Sequence, residues 1–192
     1  MPAVIDVSKT DDPRDVVHLA VQALAEGKLV AFPSETVYGV AASALHEGAV
    51  TRLEQLARRV SPDGCGLVVR SCDEALDYAP QLSPLGQRLA RRCWPGPLTL
   101  EIPGAPTDSL VTRLPPITRN ILMARGQLSL RVPAHSLINS ALRFAIGPIV
   151  WSKVMVGENQ WAATAQELVH TVGDEVAMVP VSYTHLTLPT KA

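Results

Sequence analysis

Apolar residues along this chain recur at helical spacing in some segments and form short unbroken runs in others. The first helical stripe follows Asp12, which can cap a helix with Pro13 at its first position. The next segment, residues 28–32, is an apolar run that predicts a strand buried on both faces and ended by Pro33. A second helical stripe covers about residues 48–59. Helix and buried strand therefore alternate from the start of the chain.

The alternation continues to about residue 180. Further strands are predicted at 66–70, 98–102, 128–132, 148–152 and 175–179, and further helices at 73–79, 83–94, 136–144 and 163–172. Residues 103–127 have no clear period, which predicts a loop with one helical turn. Because the strands are apolar on both faces, we expect an α/β fold: an open, twisted, mixed or largely parallel sheet with helices on both faces.

Composition limits the class of protein. Hydrophobic residues make up 47% of the 192 residues and charged residues 18%, which is typical of a globular domain. Aromatic residues make up only 4%, which argues against a nucleic-acid binder built on stacking platforms. We therefore expect a single domain over residues 1–181.

Charge is unevenly distributed although the net charge is only −1. Residues 79–157 contain nine Lys and Arg against two acids, a balance of +7, so the rest of the chain carries −8. If the fold gathers these cations on one face, it forms a concave basic groove that favours an anionic ligand. Arginines spread around the surface are an equally consistent alternative.

Cysteine and histidine usage points to a cytoplasmic protein without a metal site. Cys65, Cys72 and Cys93 form no C-x-x-C pair, as expected for idle thiols in a reducing compartment. The five histidines are scattered. No basic, apolar leader opens the chain, and no run is long enough to span a membrane.

The segment 33–39, Pro-Ser-Glu-Thr-Val-Tyr-Gly, follows the buried strand 28–32 directly. It contains two hydroxyl side chains, a carboxylate, a phenol and a glycine, and ligands of open α/β sheets bind at the ends of strands. The alternative is a capped turn, in which Ser34 and Thr36 only satisfy backbone groups.

Four blocks of this chain resemble the YrdC-like domain family in content and order. Residues 28–42 resemble the family's opening strand and its Pro-Thr-Glu-Thr-x-Tyr-Gly-Leu loop. Residues 94–100 are similar to its Trp-Pro-Gly-Pro-Leu-Thr, and residues 130–135 to its Val-Arg-Val-Pro. Residues 162–165 fall where the family begins its late helix. The resemblance covers about residues 15–180 and implies a YrdC-like fold.

The resemblance implies a nucleotidyltransferase that forms threonylcarbamoyl-AMP (threonylcarbamoyladenylate) from threonine, bicarbonate and ATP, for tRNA modification. ATP is then a substrate and Mg²⁺ is expected on its phosphates. The alternative is a non-catalytic paralogue that keeps a basic groove and binds RNA or nucleotide. No protein partner is implied.

The resemblance also implies roles for particular residues, although it assigns no catalytic group. Ser34 and Arg131 stand where the family binds threonine, and Arg131 matches the arginine that holds its carboxylate. A structural salt bridge is the alternative for Arg131. Arg59 and Ser152 stand at nucleotide-binding positions. Supporting roles are expected for Thr36, Tyr38 and Lys153.

Several positions depart from the family pattern. Ser61 replaces the second cation of a Lys-x-Arg-Pro signature, and Cys65 lies in altered surroundings downstream. Gln127 replaces a threonine, and Val154 replaces the asparagine of a Pro-Ser-Ala-Asn stretch. Trp151 takes the place of the proline in that stretch. Each lost phosphate ligand is expected to cost roughly 1.5–3 kcal/mol of binding free energy, which Arg58 and Lys153 could partly restore.

Residues 182–192 break the pattern with a mixture of Thr, Leu and Pro. We interpret them as a non-native tail that resembles a translated sequencing adapter. On this interpretation the native C-terminus, which in the family closes over the substrate, is missing.

Overall fold

The computed structural model describes residues 2–104 and 108–181, and the predicted tail lies outside the described residues. The strands are β1 (Ala3–Asp6), β2 (Val30–Pro33), β3 (Tyr38–Ser43), β4 (Gly66–Val68), β5 (Leu100–Pro103), β6 (Gln127–Arg131), β7 (Ile149–Lys153), β8 (Met155–Gly157), β9 (Gln160–Trp161) and β10 (Met178–Val181). The helices are α1 (Pro13–Ala25), α2 (Glu47–Val60), α3 (Cys72–Tyr78), α4 (Pro84–Cys93), α5 (Pro116–Leu122), α6 (Ser136–Phe144) and α7 (Ala165–Val172). Short 3-10 turns lie at Val7–Lys9, Leu110–Arg113 and Gly173–Glu175.

Eight strands form one mixed sheet in the order β1-β10-β2-β3-β7-β4-β6-β5. Three neighbouring pairs are parallel, β1 with β10, β10 with β2, and β4 with β6. The other neighbours are antiparallel, and β8 and β9 form a separate hairpin. The predicted α/β class with a mixed sheet is confirmed.

Helices cover both faces of the sheet. On one face, apolar residues of α1 and α6 pack with Val30, Phe32, Val68, Ile149 and Trp151. On the other face, α2, α5 and α7 contribute to a larger cluster with the alternate residues of the same strands. Each central strand is therefore buried on both sides, which is the reason for its unbroken apolar run. Within the described residues, no helix is both long and apolar enough to cross a membrane.

Side-chain caps mark the starts of several helices, and Asp12 caps α1 as the sequence predicts. The side chain of Asp12 accepts a hydrogen bond from the backbone N–H of Arg14 at the start of α1. His46 accepts one from Ala49 at the start of α2, and Thr164 and Glu167 form a reciprocal capping box at α7.

The prediction and the structure differ at several places, among them the hairpin of β8 and β9, which was not predicted. Residues 38–43 form a full strand, β3, although Gly-Val-Ala-Ala has little intrinsic strand preference. Burial between β2 and β7 overrides that preference. Residues 103–127 contain a two-turn helix, α5, beyond the single helical turn expected. The edge strand β1 was also missed, because only its long-range pairing with β10 defines it.

Candidate functional site

The loop between β2 and β3 is a tight hairpin connection organised by Ser34. The Ser34 hydroxyl donates to the carbonyl of Val37 at 2.7 Å and accepts from the Val37 N–H at 3.2 Å and the Thr36 N–H at 3.4 Å. The Ser34 N–H also donates to the Val37 carbonyl at 2.9 Å. In this structure, Ser34 therefore makes the contacts of a capped turn, and the Thr36 side chain is exposed.

Glu35 connects this loop to Arg131. One Glu35 carboxylate oxygen accepts from Arg131 Nη2 at 2.5 Å, and the other accepts from the Ala134 N–H at 2.5 Å. Arg131 Nε donates to the carbonyl of Gly96 at 3.1 Å, and the Gly96 N–H donates to the carbonyl of Val132 at 2.9 Å. The loop 33–39 and the blocks 94–100 and 130–135, which are far apart in the sequence, thus meet at Arg131.

The ion pair between Arg131 and Glu35 is largely removed from water. Their side chains are 7% and 18% exposed. Two of the three guanidinium nitrogens of Arg131, Nε and Nη2, donate hydrogen bonds to protein groups. A ligand carboxylate would therefore bind an arginine that already has two protein partners. Glu35 was not predicted as a site residue. Its only sequence signal was a carboxylate inside a hydroxyl-rich loop.

A cavity of about 190 Å³ lies over β7, β4, β6 and β5. It is on the face that carries α1 and α6, and Val68 and Trp151 of its lining also belong to the core cluster beneath those helices. One row of its floor runs across the strands from Trp151 through Gly66 and Ser129 to Glu101. Since Gly66 has no side chain, the floor is open between the indole and the Ser129 hydroxyl.

Charged groups of both signs line this cavity. Lys153 Nζ is 2.5 Å from the Asp63 carboxylate and 4.4 Å from the centroid of the Trp161 ring. Glu101 accepts from the Ser129 hydroxyl at 2.7 Å and from the Gln127 amide at 2.9 Å. Of the nine basic residues in the stretch 79–157, Arg131 and Lys153 line the cavity, alongside Asp63 and Glu101. A basic groove therefore stays a prediction.

The two residues predicted for the nucleotide are held by different partners. The buried Ser152 hydroxyl donates to the carbonyl of Gly64 at 3.0 Å, so it supports the segment 61–65. The guanidinium of Arg59 pairs with the carboxylate of Glu175, just beyond α7. Tyr38 is buried in the larger core cluster, and its backbone N–H donates to the carbonyl of Ala162 at 2.7 Å.

The departures from the family pattern have structural consequences. The Ser61 hydroxyl is buried and has no hydrogen-bond partner among the described residues. Cys65 lies nearby, where burial raises the pKa of its thiol to about 12, so it is protonated at neutral pH.

The other departures lie on or beside the central strands. Val154 is fully buried in the core. Gln127 binds Glu101 across the strands. Trp151 is also buried, and its indole lies against Gly39.

Burial lowers the pKa of His135, whereas the charge of Glu35 acts in the opposite direction. The unfolded chain therefore binds a proton at a higher pH than the folded chain does. This difference lowers stability as the pH falls below about 6.5, the pKa of an unperturbed histidine. Thermal unfolding between pH 7.5 and pH 5 should show this loss. The variant His135→Asn, in which Asn can still cap α6, should lose less stability over this pH range. An equal loss in the variant and the wild type would rule out His135 as the cause.

Three comparisons with known proteins bear on this fold and site. The family model of the Sua5/YciO/YrdC domain, described as "Telomere recombination", matches residues 22–185. The chain therefore belongs to the Sua5/YciO/YrdC family. Among curated relatives, a threonylcarbamoyl-AMP synthase of Methylococcus capsulatus is 33% identical over 154 residues, which cover 79% of this chain and 77% of the relative.

Other relatives are longer. A threonylcarbamoyl-AMP synthase of Pyrococcus abyssi is 32% identical over 133 residues, 69% of this chain and 36% of the relative. One of Bacillus subtilis is 27% identical over 91% of this chain and 47% of the relative. The chain thus spans less than half the length of these two curated relatives.

Solved structures share the fold. The H234A/Y235A variant of Pyrococcus abyssi Sua5 superposes with a TM-score of 0.76 at 26% identity, over 94% of this chain and 52% of that one. Pyrococcus abyssi Sua5 complexed with L-threonine gives 0.73 at 23% identity, over 95% and 50%. Escherichia coli YciO gives 0.75 at 16% identity, over 94% and 82%.

Proposed function

We propose that this protein is a threonylcarbamoyl-AMP synthase that uses threonine, bicarbonate and ATP. The observation that carries the proposal is the meeting of the loop 33–39 with Arg131 and Gly96 beside a cavity of amino-acid size. Curated relatives of this family at 32–33% identity have the same activity. These relatives do not favour the alternative of a non-catalytic RNA-binding or nucleotide-binding paralogue.

In the proposed reaction, the carbamate formed on the threonine amine attacks the α-phosphorus of ATP. A bond forms between the carbamate oxygen and phosphorus, and the bond to the bridging oxygen of the β-phosphate breaks. Threonylcarbamoyl-AMP and pyrophosphate are the products, together with the water released when the amine and bicarbonate form the carbamate. Catalysis of such a transfer consists mainly of positioning and of neutralising negative charge. The chain's part is therefore to hold the two substrates in line.

Arg131 is the proposed partner of the threonine carboxylate, with Ser34 and Thr36 as the hydroxyl-bearing loop beside it. Glu35 and the Gly96 carbonyl fix two guanidinium nitrogens, and Nη1 is the donor proposed for the ligand. An arginine held in this way loses little side-chain entropy when a carboxylate binds. Thus Arg131 can have both a structural and a binding role.

The nucleotide side is the more altered half of the site. Arg59 and Ser152 remain the proposed nucleotide residues, with their present partners Glu175 and Gly64 as competitors for the same groups. Mg²⁺ would arrive on the phosphates of ATP as part of that substrate, because Mg²⁺ commonly binds with substrate phosphates and few carboxylates. Within residues 2–104 and 108–181, no group of three or more His, Cys, Asp and Glu side chains could hold a metal ion.

The activity is tested by incubating the protein with ATP, Mg²⁺, bicarbonate and labelled threonine. We expect release of pyrophosphate that depends on threonine, together with a labelled adenylate. Reactions without threonine, and with serine or valine in its place, are the controls. No threonine-dependent pyrophosphate at high protein concentration, combined with retention of RNA that weakens steeply with salt, would instead favour the paralogue.

Arg131→Lys separates binding from folding. Lysine keeps a positive charge beside Glu35, so the fold should survive, but its point charge cannot hold Glu35 and a second carboxylate in a planar fork. We expect threonine to bind about tenfold more weakly, equivalent to about 1.4 kcal/mol. Isothermal titration with L-threonine measures this change. Unchanged affinity in a folded variant would remove Arg131 from the threonine site.

A further inference from the structure

Lys153 differs from the family pattern at a place where the structure gives it a role. It occupies the alanine position of the Pro-Ser-Ala-Asn stretch, at the end of β7. Lys153 and Trp151 lie two positions apart on β7, so both side chains point to the cavity face of the sheet. Among the described residues, the cationic groups that line the cavity are the Lys153 ammonium and the Arg131 guanidinium.

The present partner of Lys153 is a carboxylate that can leave. The two side chains of the pair, Lys153 and Asp63, are 30% and 52% exposed, and ion pairs exposed to this extent contribute little to stability. A phosphate group carries more charge than a carboxylate and offers more acceptor oxygens, so it competes well for the same ammonium. Exchange of Asp63 for a phosphate therefore costs little.

The loop that carries Asp63 does not depend on that ion pair. Its backbone is held by the Ser152 hydroxyl at the Gly64 carbonyl, at 3.0 Å, and by the Arg125 guanidinium at the Pro62 carbonyl. The Asp63 side chain can consequently swing into solvent while the loop stays on β7. Gly64 and Gly66 have no side chains to obstruct the space beside Lys153.

We propose that Lys153 binds a phosphate group of a nucleotide or pyrophosphate in this cavity, and that Asp63 is the counter-ion which the phosphate displaces. The inference deepens the proposed function, on which it rests for the identity of the phosphate as that of ATP or its product. Lys153 thereby supplies a positive charge from the end of β7. This charge replaces the one that is absent at the end of α2, where Ser61 stands at a cation position of the Lys-x-Arg-Pro signature.

Opposite effects of two substitutions test the exchange. Lys153→Gln removes the cation, and we expect it to weaken binding of sodium pyrophosphate and of ATP about tenfold. Asp63→Asn removes the competitor, and we expect it to strengthen both about threefold. The double variant should match Lys153→Gln alone. Isothermal titration of the full chain measures all three, with adenosine as a probe that carries no phosphate and should be unaffected.

Matched charge changes elsewhere serve as controls. Arg91→Gln on α4 and Asp77→Asn on α3 alter the net charge equally at exposed positions. If they reproduce the two effects, the cause is the overall field and the proposal fails. It also fails if Asp63→Asn weakens binding as Lys153→Gln does, since the pair is then structural, or if the wild type does not bind pyrophosphate. Phosphate binding with the expected order but without threonine-dependent turnover would overturn the proposed function alone.

Discussion

Arg131→Met is expected to lower the free energy of unfolding by about 3 kcal/mol, because it leaves the Glu35 carboxylate in a poorly hydrated site without its cation. The figure is at the lower end for a broken buried pair, since Glu35 keeps some contact with water. The Gly96 carbonyl also loses its donor. Urea denaturation measures the change, provided that the slope of the transition is unchanged.

A double-mutant cycle identifies the source of that loss. Adding Glu35→Gln to Arg131→Met removes the unpaired charge, so the double variant should recover part of the lost stability. Arg58→Met is the control, because Arg58 forms an exposed pair with Glu54, and its loss should be close to experimental error. Equal losses for Arg58→Met and Arg131→Met would contradict the buried pair as a source of stability.

Gly39→Ala is expected to destabilise the protein by about 2–3 kcal/mol through overpacking. A β-carbon at Gly39 would lie 2.4 Å from Cζ2 of Trp151 and 2.6 Å from the backbone oxygen of Ser152. The indole lines the cavity, and the backbone oxygen belongs to β7, the strand paired with β3. Thermal unfolding measures the loss, and titration with L-threonine shows whether the shift obstructs the cavity.

Gly157→Ala provides a matched control for this prediction. A β-carbon at Gly157 would meet no atom of the described residues within 4 Å, so the same substitution should leave stability nearly unchanged. If Gly39→Ala is tolerated as well as Gly157→Ala, then Trp151 has room to move. The close contact between Trp151 and β3 would then contribute nothing measurable to the free energy of unfolding.

Sequence patterns predicted α6 at its observed bounds because the apolar stripe that defines it is a local signal. They failed for β3 because alanine and glycine have no intrinsic strand preference and only neighbouring strands determine their conformation. The same distinction applies in the site. Arg131 stood out through the block 130–135, which resembles the family's Val-Arg-Val-Pro, whereas Glu35 acquires its role only from atoms 96 and 99 residues away in the chain.

The sequence by itself determined the α/β class, the family and the loop 33–39 as a polar segment beside a buried strand. These properties depend on periodicity and on short motifs, which are local along the chain. Only the tertiary structure decided that Ser34 organises a turn, that Arg131 is paired with Glu35, and that Lys153 shares a cavity with Asp63 and Glu101. Such pairings depend on strand order and on burial, because a charge or hydroxyl bonds to whatever the fold brings within about 3 Å.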